Sequence, residues 1–135
     1  MAECIKESDE RKTMAENTQE AKHVRWDEIP LENLNPAVDR QIVVGDQMMV
    51  ARVLIKKGGV IPMHHHHNEQ VTHVQSGVLH FNVGGKEVTI RAGEFLCIPP
   101  NVPHTATALE DTVDIDIFTP PREDWLKGTD QYLRG

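Results

Sequence analysis

The chain has 135 residues, 39% of them hydrophobic, and a formal net charge of -7 at pH 7. That length suits one domain of ordinary size with a tail and leaves no room for a second. The acidic balance, with no basic run longer than the pair Lys56-Lys57, excludes nucleic acid as a partner, and no stretch reaches the roughly 18 apolar residues that a membrane span needs.

Taken in chain order, residues 1–22 mix both charges and carry only scattered apolar side chains, so they cannot bury enough surface to offset their ordering entropy. They are expected to form a disordered tail, with residues 23–135 as the folded domain. Met1-Ala2-Glu3-Cys4 has neither the basic nor the apolar segment of a secretory signal, and a cytoplasmic protein is the expectation. A β-like piece, His23–Asp27, carries Val24 and Trp26 and is a candidate to pair with a neighbouring subunit's sheet.

From Gln41 onward, β-prone runs alternate with turn residues: 41–44, 48–55, 60–66, 71–75, 78–83, 87–91, 95–99, 104–108 and 112–118. Such spacing predicts an all-β sandwich or barrel. Gly58-Gly59, Ser76-Gly77, Gly84-Gly85 and Ala92-Gly93 supply the turns, with Gly84-Gly85 as a hairpin tip. Cys97 lies in the run Phe95-Leu96-Cys97-Ile98 and reads as a buried small hydrophobe. Near the end, Thr119 is placed to cap a short helix opened by Pro120-Pro121 and stopped at Gly128.

The chemistry concentrates in Met63-His64-His65-His66-His67-Asn68-Glu69-Gln70. On a strand, alternate side chains share a face, which puts His64, His66 and Gln70 together and His65, His67 and Glu69 opposite. Further on, the rigid segment Pro99-Pro100-Asn101-Val102-Pro103 leads to another imidazole, His104. Imidazoles with an oxygen ligand suit a divalent transition metal, Mn, Fe, Co, Ni, Cu or Zn, better than Mg or Ca.

These spacings resemble the two motifs of the cupin superfamily. Gly58, His64, His66, Gln70 and Gly77 fit the first, with Gln70 where the family carries an acidic ligand. Gly93, Pro99 and His104 fit the second, with Asn101 in place of a glycine and Ala108 in place of an asparagine. The resemblance implies an antiparallel jelly-roll β-barrel that holds its metal through His64, His66, Gln70 and His104. A neutral amide in place of a carboxylate leaves the bound dication more positive and a stronger Lewis acid.

After the second motif, Asp114, Asp116 and Phe118 alternate with Ile115 and Ile117, so the acids share a face. Asp116 beside a dication is a candidate general acid or base, Arg122 a candidate clamp for a substrate carboxylate, and Phe118 an apolar wall. The plainer alternatives are that Asp116 faces solvent and that Arg122 pairs with Glu123 or Asp124. The pattern resembles small single-domain bacterial cupins of the pectin-degradation type, which convert cyclic unsaturated uronates into their open-chain keto form. That resemblance implies catalytic or substrate-contacting roles for Asp116, Phe118 and Arg122, isomerase-type chemistry on a small sugar acid, and a homodimer. Two other readings stay open: an iron-dependent dioxygenase of a small molecule, and a non-catalytic metal-containing module that binds a ligand.

Overall fold

The computed structural model describes residues 20–134. Most of the expected tail, residues 1–19, lies outside them. Ten strands and two short helices follow one another: β1 (Glu32–Asn35), β2 (Val38–Val44), β3 (Met49–Ile55), β4 (Val60–His64), β5 (Glu69–Ser76), β6 (Val78–Val83), β7 (Lys86–Arg91), β8 (Phe95–Ile98), β9 (His104–Ala108), β10 (Thr112–Thr119), α1 (Glu123–Lys127) and α2 (Gln131–Arg134). No described helix is long and apolar enough to cross a membrane.

All strand pairings are antiparallel, in one sheet ordered β1-β2-β3-β10-β5-β8 and another ordered β4-β9-β6-β7. Neighbours such as β3 and β10, or β4 and β9, are far apart in sequence. The two sheets are not closed into a single hydrogen-bonded barrel, so the expected barrel takes the form of a two-sheet jelly roll.

Alternation along the strands builds the interior. Met49, Ala51, Val53 and Ile55 of β3 point inward, as do Leu79 and Phe81 of β6 and Ala106 and Ala108 of β9. β10 alternates in the same way, but its inward side chains are Thr112, Asp114, Asp116 and Phe118. Two acids in a core register are costly unless the fold gives them partners.

The turns follow their residues. Gly84 and Gly85 join β6 to β7 at positive φ. At Gly77 a Cβ would collide with Asp111 O and Thr112 Oγ1, so only glycine passes.

Several expected details differ. His23–Asp27 is not a strand; Trp26–Glu28 forms a 3-10 turn, in which Glu28 Oε1 accepts the Arg25 backbone N–H (3.1 Å) and Asp27 takes the Arg25 side chain. Cys97 is exposed, because the β8 register opposite β5 turns Ile98 inward beside Gln70 and leaves its neighbour on the outer face. Thr119 does not cap the helix: it still belongs to β10 and donates to Gln47 O (2.9 Å), while Arg122 occupies the cap position of α1. Gly128, at φ 71°, does end α1 as expected.

The C-terminal segment folds back over one end of the sheets. Trp125 and Leu133 enter the core, and Trp125 lies between the guanidinium groups of Arg40 (4.4 Å) and Arg122 (4.7 Å). Arg40, fully buried, pairs with Asp130 (2.8 Å) and Glu32 (2.9 Å), and Arg134 closes the ring by pairing with the same two acids. The buried charges of Arg40 and Asp130 thus have opposite partners, which a buried charge requires.

Candidate metal centre

β4 ends at His64, and residues 65–68 form a loop before β5 begins. Strand parity therefore does not carry the whole histidine run, yet the loop gives the same result: His64, His66 and Gln70 turn in, and His65, His67 and Glu69 are exposed. Two tethers shape the loop. Asn68, buried, donates to Pro120 O (2.6 Å) and Pro121 O (3.2 Å), and the Asn101 backbone N–H donates to His66 O (2.7 Å). Asn101 sits at φ 65°, the left-handed conformation that asparagine tolerates where the family pattern has glycine.

β4 and β9 pair with His64 directly opposite His104. The coordinating atoms of His64, His66 and His104 lie within 4.8 Å of one another, close enough to share one ion. In each ring Nδ1 faces a backbone carbonyl: Pro62 O for His64 (2.8 Å), Asn68 O for His66 (3.0 Å) and Val102 O for His104 (2.8 Å). A carbonyl oxygen only accepts, so in His64 and His104 Nδ1 carries the proton and Nε2 presents its lone pair to the centre; a cation on His66 Nε2 would put the His66 proton on Nδ1 as well.

Burial pushes the imidazoles toward the neutral form that binds metal. His64 is pushed down to about 3 and His66 to about 4, with the neighbouring Arg122 charge adding to both, and burial lowers His104 as well. His104 Nε2 is buried with no partner among the described residues. His66 Nε2 stands 3.1 Å from Gln70 Oε1 and His66 Nδ1 3.0 Å from Asn68 O, so a neutral ring with one proton leaves one nitrogen lone pair facing an oxygen. A cation between such lone pairs turns repulsion into coordination, and this donor set fits a divalent transition metal held by His64, His66, His104 and the oxygen of Gln70.

The other expected site residues lie beside these. His64, Gln70, His104, Asp116, Phe118 and Arg122 line one cavity of about 40 Å³ between the sheets. Asp116 does not face solvent; it is buried, and Thr72 Oγ1 donates to its Oδ1 (2.7 Å). Burial raises its pKa, against the opposing effects of Asp114, Thr72, the Arg122 charge and Gln70. Burial and the Asp116 charge hold Asp114 well above the usual carboxylate range, and its Oδ1 has no partner among the described residues.

Arg122 is nearly fully buried, and its fork is occupied: Nε donates to Asp124 Oδ1 (2.9 Å), and Nη2 donates to Asp124 Oδ2 (2.7 Å) and Tyr132 Oη (2.7 Å). The plainer pairing with Asp124 is thus present, and Nη1 alone is left without a partner among the described residues. Phe118 meets His66 edge-on at 5.6 Å and Trp125 at 5.0 Å. Sequence reading missed Thr72, Asn68 and Tyr132, whose ring stacks on His64 at 4.4 Å. Thr72 was within reach, since it shares the parity of Gln70 on β5; no sequence signal brings Tyr132 to the site.

A two-sheet jelly roll with three inward imidazoles at one end defines a metal-site β fold. Residues 51–118, half of the chain, match the family model described as a cupin domain, and the protein belongs to the cupin family. An RmlC-like cupin from Shewanella frigidimarina is 29% identical with a TM-score of 0.73, covering 78% of this chain and 96% of that one. KdgF from Halomonas sp. is 26% identical with a TM-score of 0.75, covering 78% of this chain and 99% of that one. The polyketide cyclase RemF from Streptomyces resistomycificus, 18% identical with a TM-score of 0.64 over 75% of this chain and 80% of that one, shares the fold. No curated protein sequence matches the chain.

Proposed function

We propose that this cupin is a metal-dependent enzyme of the isomerase type that opens the ring of an unsaturated uronate-like sugar acid. The observation that carries the reading is the convergence, in one cavity, of the neutral His64, Gln70 and His104 donors with a buried acid, Asp116, and the unpartnered Nη1 of Arg122. The pectin-degradation type that the sequence resembles uses residues at the matching positions, and the likeness to KdgF over nearly its whole length adds support.

A divalent metal, when bound, would supply Lewis acidity toward a substrate oxygen. Arg122 Nη1 donates one hydrogen bond to the uronate carboxylate, while Asp124 and Tyr132 hold the rest of the guanidinium still. Asp116 moves the proton between substrate oxygen and carbon; its raised pKa brings it nearer the neutral range in which a carboxyl both takes and returns a proton. Phe118 keeps water from that side of the cavity.

A cavity of about 40 Å³ holds only a few waters, so a sugar acid needs the site to widen. A second reading, an iron-dependent dioxygenase of a small molecule, rests on the same three clustered imidazoles. Turnover of an unsaturated galacturonate monomer, followed with oxygen uptake before and after chelation, separates the two. Chelation-sensitive ring opening without oxygen consumption supports the isomerase; oxygen uptake with Fe(II) and no ring opening supports the dioxygenase.

A further inference from the structure

We infer that Thr72 is a positioning residue of the metal centre: its hydroxyl, anchored on Asp116, turns the Gln70 amide so that the carbonyl oxygen faces the three imidazoles. The inference rests on the metal reading of the site and not on any substrate.

An amide has two chemically opposite ends, and only the oxygen can coordinate a cation. Rotation by half a turn would aim NH2 at the metal and repel it, so a glutamine ligand needs its orientation fixed from behind. Thr72 is placed to do this. It lies two residues beyond Gln70 on β5, hence on the same face, and is fully buried. The β10–β5 register sets it directly opposite Asp116.

The hydroxyl has one proton, and Asp116 Oδ1 receives it at 2.7 Å. Its oxygen is then left to accept, and Gln70 Nε2 donates to it at 2.8 Å. Gln70 Nε2 also lies 3.4 Å from Asp116 Oδ1, where an oxygen would be repelled by the carboxylate. Two contacts therefore fix the nitrogen on the far side. Oε1 emerges 3.1 Å from His66 Nε2, among the donors.

The test is the Zn2+ dissociation constant of the full chain, measured against a chromogenic chelator, with the visible spectrum of bound Co2+ as a report on the ligand set. Thr72→Val keeps the shape and the strand preference but can neither give nor accept a hydrogen bond. Loss of such an outer partner weakens metal binding by roughly 10–100-fold, and that is the expected result, together with an altered Co2+ spectrum. Gln70→Ala should lose as much, and the double variant no more than Gln70→Ala alone, because Thr72 acts only through the amide. Thr72→Ser should bind within about threefold of the unaltered protein, since the hydroxyl returns. If Thr72→Val does not fold, Thr72→Ala gives the same comparison with less bulk. Zn2+ binding unchanged in the valine variant, or a loss that persists in full on top of Gln70→Ala, would overturn the role of Thr72 while leaving the metal site standing. An unaltered protein that binds no Zn2+ overturns both.

Discussion

Replacing Trp125 by alanine tests how the site is closed. The side chain is only 7% exposed, stands edge-on to Phe118 at 5.0 Å and lies between two buried guanidinium groups at 4.4 and 4.7 Å. Truncating a buried tryptophan costs about 3–5 kcal/mol, a figure that already contains its aromatic and cation–π contacts. α1 and α2 have five and four residues, too short to persist unless docked, so the loss falls on the docking of residues 120–134 rather than on the sheets. At about 1.4 kcal/mol per tenfold change, the undocked population rises by at least roughly 100-fold. Limited trypsin digestion reads that population at Lys127, and far-UV circular dichroism in urea reads the sheets. We expect much faster clipping at Lys127 with a smaller change in the β-sheet midpoint, and faster extraction of bound metal by chelator. Clipping within about threefold of the unaltered protein would refute a C-terminal segment held down by Trp125.

Three further outcomes are expected. The carboxylates of Glu32 and Asp124 lie below their ordinary values of 4.5 and 3.8: burial raises both, but hydrogen bonds from Arg134 and Arg40 outweigh it at Glu32, and those from Arg122 at Asp124. Depressed folded-state values give stability that is present above the ordinary value and lost as pH falls through the folded one, so the C-terminal segment should loosen below about pH 4, seen as a Trp125 fluorescence shift that Glu32→Gln brings on at neutral pH. Asp114 is the opposite case, raised by burial first and by Asp116 second, so its contribution to stability should fall as pH rises from the ordinary 3.8 toward its folded value, and thermal melts of Asp114→Asn across that range should show a smaller fall than the unaltered protein, Asp116 supplying the rest. Asp116→Asn should lower turnover by roughly 10²–10⁴-fold while Zn2+ stays bound, because an asparagine oxygen still accepts from Thr72; turnover within twofold would remove Asp116 from the chemistry.

Much of the fold was legible because period-2 patterning is strong where one face is buried. β3, β9 and β10 alternate along their whole lengths, and the inward side of β10 names Asp114, Asp116 and Phe118 without any structure. Elements whose existence depends on a distant partner were not legible. β1 is four residues with one buried apolar side chain, Leu34, and forms because β2 offers an edge. α2 is fixed by the ion pairs of Arg134 with Glu32 and Asp130, which join residues about a hundred positions apart and residues one turn apart. Cys97 was misjudged because local hydrophobicity does not reveal which face of an edge strand the register turns inward. In the site, motif spacing named His64, His66, Gln70 and His104, but the clamping of the Arg122 fork by Asp124 and the stacking of Tyr132 on His64 arise from the chain folding back on itself.

Metal content is the most direct measurement. Untagged protein, exposed to one divalent transition metal and freed of excess, should retain about one equivalent per chain, and His104→Ala should lose it while its far-UV spectrum stays that of the β fold. A protein that keeps less than about a tenth of an equivalent, or a His104→Ala variant that binds as tightly as the original, would contradict a metal centre built on His64, His66, Gln70 and His104.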